Sequence, residues 1–186
     1  MLEKITIENK LLLFDAENEL DIALDDKDQV LDELEALDRR RAKVEEERAR
    51  ARRDIDLFRD KGNPERAEIA ALQARAAEAQ LEHLEAERKA ALVRLEREER
   101  ALVVARARFE LAKARLVKRN NVPGAADLKL EDFEEQVERY QERVLDLDDE
   151  LDEAQAEVDA TEEAWSMAAA RLRDESKGAY GSRWLD

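Results

Sequence analysis

The chain has 186 residues, of which 44% are charged and 4% aromatic, with four glycines, two prolines and no cysteine. That balance is wrong for a compact globule and fits long helices that bury a narrow apolar stripe. The formal net charge of −16 disfavours nucleic acid and anionic membrane surfaces as bulk partners, the lack of cysteine excludes disulfides and thiolate metal sites, and no stretch reaches the roughly 20 apolar residues that span a bilayer.

The chain opens Met1-Leu-Glu-Lys-Ile-Thr-Ile-Glu-Asn-Lys10, without a basic region followed by an unbroken apolar run and a small-residue cleavage site. Export is not expected, and the cytoplasm is the default location. Arginine outnumbers lysine 23 to 10, an association with GC-rich bacterial sources.

From about residue 7 to 61 the apolar residues Leu20, Leu24, Leu31, Leu34, Val44, Ala51, Ile55 and Phe58 recur at spacings of three, four or seven, which predicts one long helix. Its start is unusual. Leu11, Leu12, Leu13 and Phe14 follow Leu2, Ile5 and Ile7, and four consecutive apolar side chains cover the whole circumference of a helix. A three-helix arrangement buries about one face, so the surplus has to meet a second subunit, another protein or a lipid interface, unless the 120–128 loop caps it locally. The basic clusters Arg39 to Lys43 and Arg48 to Arg53 are interrupted by Glu45, Glu46 and Glu47 and interleave no aromatic for base stacking, so pairing with acids of the same chain is the expected role.

Gly62, Asn63 and Pro64 form a strong break: a left-handed glycine closes one helix, an asparagine caps the next, and a proline fits its first turn. The second helix is expected over about 64–118. Leu81, Leu95, Leu102, Phe109 and Leu116 occupy one heptad position, interrupted by Arg88, and Ala91, Ala105 and Ala112 share the other with Leu84 and Glu98. One large row beside one small row lets a neighbouring helix approach closely. His83, the single histidine, lies beside this seam, where a partly exposed position or a pair with Glu87 is expected. Position 80 is glutamine, so the Glu-x-x-His of di-iron bundles is missing.

After the loop Asn120 to Gly124, the third segment carries Leu130, Phe133, Val137, Tyr140, Val144, Leu147, Leu151, Ala154, Val158, Thr161, Trp165, Ala168 and Leu172 at alternating spacings of three and four. Six heptads without a skip predict a helix over 130–175 whose seam includes Trp165, with Gly178 as a stop. Within it, Asp146 to Glu153 superficially resembles a calcium loop, but Leu147 and Leu151 continue the seam and the required glycine turn is missing, so a solvated acidic face is expected. Residues 178–186 abandon heptads and place Tyr180, Trp184 and Leu185 among glycines, either as a frayed end or as anchors for a partner's groove.

Charge tests the folding-back independently. Residues 1–38 carry −10, 39–62 carry +4, 63–87 carry −4, 88–119 carry +7 and 120–186 carry −13. A hairpin about residues 62 and 63 pairs residue i with about 126 − i, bringing acid blocks against basic ones, and the third helix returns its acidic stretch 131–163 to the basic segment 88–119. Blocks of this kind penalise wrong registers.

The reading is an all-α fold: three long helices in an antiparallel coiled-coil bundle, an elongated rod roughly 80 Å long from the helix rise. It is expected as a single unit over 1–176 with a flexible tail at 177–186. In length and layout it resembles BAR-domain dimers, phage-shock and ESCRT-III-like membrane remodellers, spectrin-type repeats and the rods of flagellar and type III export, without a shared residue motif. No catalytic residue, cofactor or metal is expected, since one histidine and no Gly-rich phosphate loop leave little site chemistry. The function read from the residues is a structural or adaptor protein that self-associates, most simply as a homodimer, with Leu11, Leu12, Leu13, Phe14, Tyr180, Trp184 and Leu185 as candidate partner-binding residues. The alternative is a membrane-associated remodeller that uses residues 1–14 as an interfacial amphipathic helix.

Overall fold

A computed structural model describes the backbone of residues 7–177 and the side chains of residues 11–177. The fold is all-α, with α1 over Ile7–Asp60, α2 over Pro64–Arg119 and α3 over Leu130–Glu175.

Each break is made by local chemistry. Gly62 sits at φ +66°, its N–H bonds Arg59 O at 3.0 Å, and Asn63 N–H bonds Phe58 O at 2.9 Å. These are the two bonds of a Schellman closure, which satisfies the last carbonyls of α1. Asn63 then caps α2, its Oδ1 accepting from Arg66 N–H at 3.2 Å. The same closure ends α2 with Asn121 in place of glycine: φ is +47°, Asn121 N–H bonds Lys118 O and Val122 N–H bonds Val117 O, both at 3.2 Å. A 3-10 turn over Ala125–Asp127 follows, with Ala125 buried and Lys118 Nζ donating to Leu128 O. At the end of α3 Lys177 is left-handed, φ +53°, and the expected stop at Gly178 lies outside the described residues.

The α1 seam differs from the one expected. Ala16, Ala23, Val30, Leu37, Val44 and Ala51 are buried at strict intervals of seven, whereas Leu24 and Leu31 are exposed at 38% and 40%. Those leucines stand one residue, about 100° of rotation, off the seam. Helix-to-helix approach has selected small residues in the first half of α1 and left larger ones outside.

The described residues fall into two compact units. In the first, residues 7–32 and 93–151, Leu20 and Ala23 of α1 pack on Leu102 and Ala105, while Phe133, Val137 and Tyr140 of α3 pack on Ala107 and Leu111. In the second, 33–92 and 152–177, Leu34, Leu37 and Val44 meet Ala77, Leu81, Leu84 and Ala91. Separate clusters there join Ala86 and Ala90 to Ala154 and Val158, and Leu72 and Ala76 to Ala168 and Leu172.

Every one of these clusters joins α2 to a single neighbour. α2 therefore carries a second heptad stripe, through Leu72, Ala76, His83, Ala86, Ala90, Val104, Ala107, Leu111 and Ala114, all buried. At the α-helical turn of about 100° per residue, Leu102 and Ala105 sit about 170° around α2 from Ala107 and Leu111; three helices at the corners of a triangle would need about 60°. In the first unit α2 is thus the middle of a flat three-helix layer, with α1 and α3 on opposite sides.

Ion pairs follow the same plan. Arg40–Glu87, Arg41–Glu85, Asp38–Arg88 and Arg52–Glu78 in the second unit, and Glu19–Arg108 in the first, join α1 to α2 at residue sums of 126 to 130. Lys89–Glu157, Arg97–Asp148 and Arg115–Glu134 join α2 to α3. Most are exposed and individually weak, of the order of a few tenths of a kcal/mol, so their role is in register.

Candidate interaction surface

Two places in the described residues depart from a plain coiled coil. One is a buried polar layer in the second unit, and the other an open apolar groove in the first.

The polar layer is centred on His83, which is 4% exposed rather than partly exposed as expected. Its ring stacks on Trp165 at 5.3 Å between centroids with planes 21° apart. Nδ1 lies 3.3 Å from Thr161 Oγ1, and Nε2 lies 3.6 Å from Glu87 Oε1. The Thr161 hydroxyl is directed at the Glu157 and Val158 carbonyls, both at 2.9 Å. Donor and acceptor across the His83 Nδ1–Thr161 Oγ1 contact are set by the imidazole tautomer. On its other side Glu87 makes an ion pair with Arg40 at 3.5 Å, wide of hydrogen-bond geometry for Oε2. A chain of polar contacts thus runs from α1 through α2 to α3. It leaves the imidazole enclosed and engaged, which is a packing role rather than that of an accessible base.

The groove lies over α2 between α1 and α3. Its floor is Ala23, Ala101, Val104, Ala105 and Val144, its walls are Ile22 and Leu145, and its volume is about 370 Å³. Ile22 is 51% exposed and Leu145 64% exposed, although both are large and apolar. Toward the N-terminus it continues into a second hollow of similar size, lined by Leu12, Ala16, Leu111, Ala112 and Val137, with Glu19 and Arg108 shared by the two. The cations on α2 are already neutralised: Arg108 bonds Glu19 at 3.2 Å, and Arg97 bonds both Asp148 and the buried Glu98. The hydrogen bond that Arg97 donates to Asp148, together with the one it donates to Glu98, holds its guanidinium above the ordinary arginine range against the opposing effect of burial.

Of the candidate partner-binding residues, Leu11 and Leu12 are 53% exposed and Phe14 is 64% exposed, while Leu13 is half-buried. Leu12 lines the second hollow, and no loop residue shares that hollow with it. Tyr180, Trp184 and Leu185 lie outside the described residues. The acidic run Asp146 to Glu153 is helical, with Leu147 fully buried in the seam. Sequence reasoning missed Ile22 and Leu145, because an isolated apolar residue off the seam carries no periodic signal. The second stripe on α2 was the available clue, since two stripes on opposite faces leave the faces between them open.

No family model, curated protein or solved structure gives a significant match to this chain.

Proposed function

We propose that the chain is a non-enzymatic adaptor or scaffold that works by binding proteins, a second copy of itself included, through the start of α1. What supports this reading is the exposure of Leu11, Leu12 and Phe14 around one turn of a helix whose own seam is filled by Ala16 and Ala23. Three large apolar side chains held in water on an ordered helix are costly unless covered, at roughly 1.5–3 kcal/mol for each residue of this size on full burial. Protein rather than lipid is the favoured cover, because the helix continues into Asp15, Glu17, Glu19 and Asp21, which an anionic surface repels. A cytoplasmic setting is part of the proposal. So is the lack of catalysis, since the one histidine is spent in packing.

Light scattering tests the reading. The full chain is expected at twice the 21.5 kDa of one copy, and a Leu11→Ser, Leu12→Ser, Phe14→Ser variant at one copy with helicity retained. An unchanged mass in the variant contradicts assembly through this stretch. Flotation of the full chain, but not the variant, with anionic or neutral vesicles would assign the stretch to lipid instead.

A further inference from the structure

We infer that the groove over α2 in the first unit is a docking site for a cationic amphipathic helix of a different protein; this deepens the adaptor reading and rests on it. The groove has the shape for a helix. Its floor and walls, Ile22, Ala23, Ala101, Val104, Val144 and Leu145, come from all three helices, and a ridge of side chains at i, i+3, i+4 and i+7 is what such a trough accepts.

Charge selects the occupant. On α1 Glu19, Ile22 and Asp26 line the groove and Asp15 the adjoining hollow, and on α3 the exposed Glu138, Glu142 and Asp149 share a helix face with the lining residue Leu145. Both sets share the spacings four, three and four, so each places one exposed apolar residue inside an acidic row on a single helix face. Asp15, Asp26, Glu138, Glu142 and Asp149 form no ion pair among the described residues, and the arginines at the base of the groove are already matched. The trough is therefore apolar in the middle, anionic along its α1 edge, and bordered on the α3 side by a helix face that carries an acidic row. The complement is a helix with an apolar stripe flanked on both sides by Lys or Arg.

A second copy fits this description poorly. Its basic helical stretch, Arg39 to Arg53, spends Arg40, Arg41 and Arg52 on acids of its own α2, and each copy brings a net charge of −16.

The test uses the full chain and a fluorescent four-turn Leu/Lys peptide with leucines at helical spacing, beside a scrambled peptide of the same composition. The striped peptide is expected to bind, gaining helicity as it does. Binding should weaken by roughly tenfold or more for the Ile22→Lys, Leu145→Lys variant, whose exposed substitutions leave the fold and the assembly of the chain unchanged. Equal binding of the scrambled peptide, or unchanged binding by the variant, would reduce the attraction to bulk charge and overturn the proposal. A mass that halves as the striped peptide is added would place a second copy in the groove, and would also overturn it. A full chain that is dimeric but does not bind the striped peptide rejects the groove alone; a full chain that binds the striped peptide but has the mass of one copy rejects only the self-association.

Discussion

Leu84 is 1% exposed and packs in a cluster with Leu37 and Val44 of α1 and with Ala77 and Ala91 on its own helix. Replacing it with alanine removes three carbons, about 2.4 kcal/mol of transfer free energy at roughly 0.8 kcal/mol per carbon. A residual cavity adds to this, because the flanking positions on α2 are already alanine and two long helices cannot close locally over one layer. The expected cost is about 3 to 4 kcal/mol, within the range of buried leucine truncations. Urea unfolding followed by circular dichroism measures it: with a slope of about 2 to 3 kcal/mol/M, the midpoint falls by roughly 1 to 2 M at unchanged slope. A loss under about 1 kcal/mol would refute the placement of Leu84 at the α1–α2 seam.

Four further substitutions probe other parts of the account. Val30→Ala should cost about 1 to 2 kcal/mol and Leu31→Ala under about 0.5 kcal/mol in the same assay, although leucine loses more carbon, because Val30 is 4% exposed and Leu31 40%. Gly62→Ala should destabilise by about 1 kcal/mol through φ +66° alone, since a Cβ there meets nothing within 4 Å; thermal melting reads it as a fall of a few degrees. His83→Leu should leave stability within about 1 kcal/mol of the wild type or raise it, because Thr161 keeps its backbone acceptors and Glu87 keeps Arg40. A loss of several kcal/mol there would mean that the polar layer supplies stability and not only register.

Much of the fold was legible. α3 carries an unbroken heptad, and each of its seam residues is buried or half-buried. The break at 62–64 is spelled in glycine, asparagine and proline, each used in its expected way. The charge blocks anticipated the hairpin register, and the ion pairs from Glu19–Arg108 to Arg52–Glu78 realise it. What periodicity misread is instructive. In α1 the eye follows leucines, but the seam runs through Ala16, Ala23 and Val30, because a close helix approach rewards small side chains over large ones. On α2 the alanines of the second stripe carry too little hydrophobic contrast to announce a second neighbour. The burial of His83 depends on Trp165, 82 positions away in the chain and brought onto it only by the tertiary fold. For the surface, the excess at Leu11 to Phe14 was visible as composition. The groove was not, since it arises from how three helices are laid side by side.

The claim at the centre of the account is that the apolar start of α1 is covered by protein. The chain contains no cysteine, so Phe14→Cys offers a single attachment point for a nitroxide at a side chain that is 64% exposed in one copy. The electron paramagnetic resonance spectrum should show an immobilised label at concentrations where the chain is dimeric, and a mobile one once dilution separates the copies. A label that stays mobile at every concentration, or is immobilised only when vesicles are added, would contradict the account.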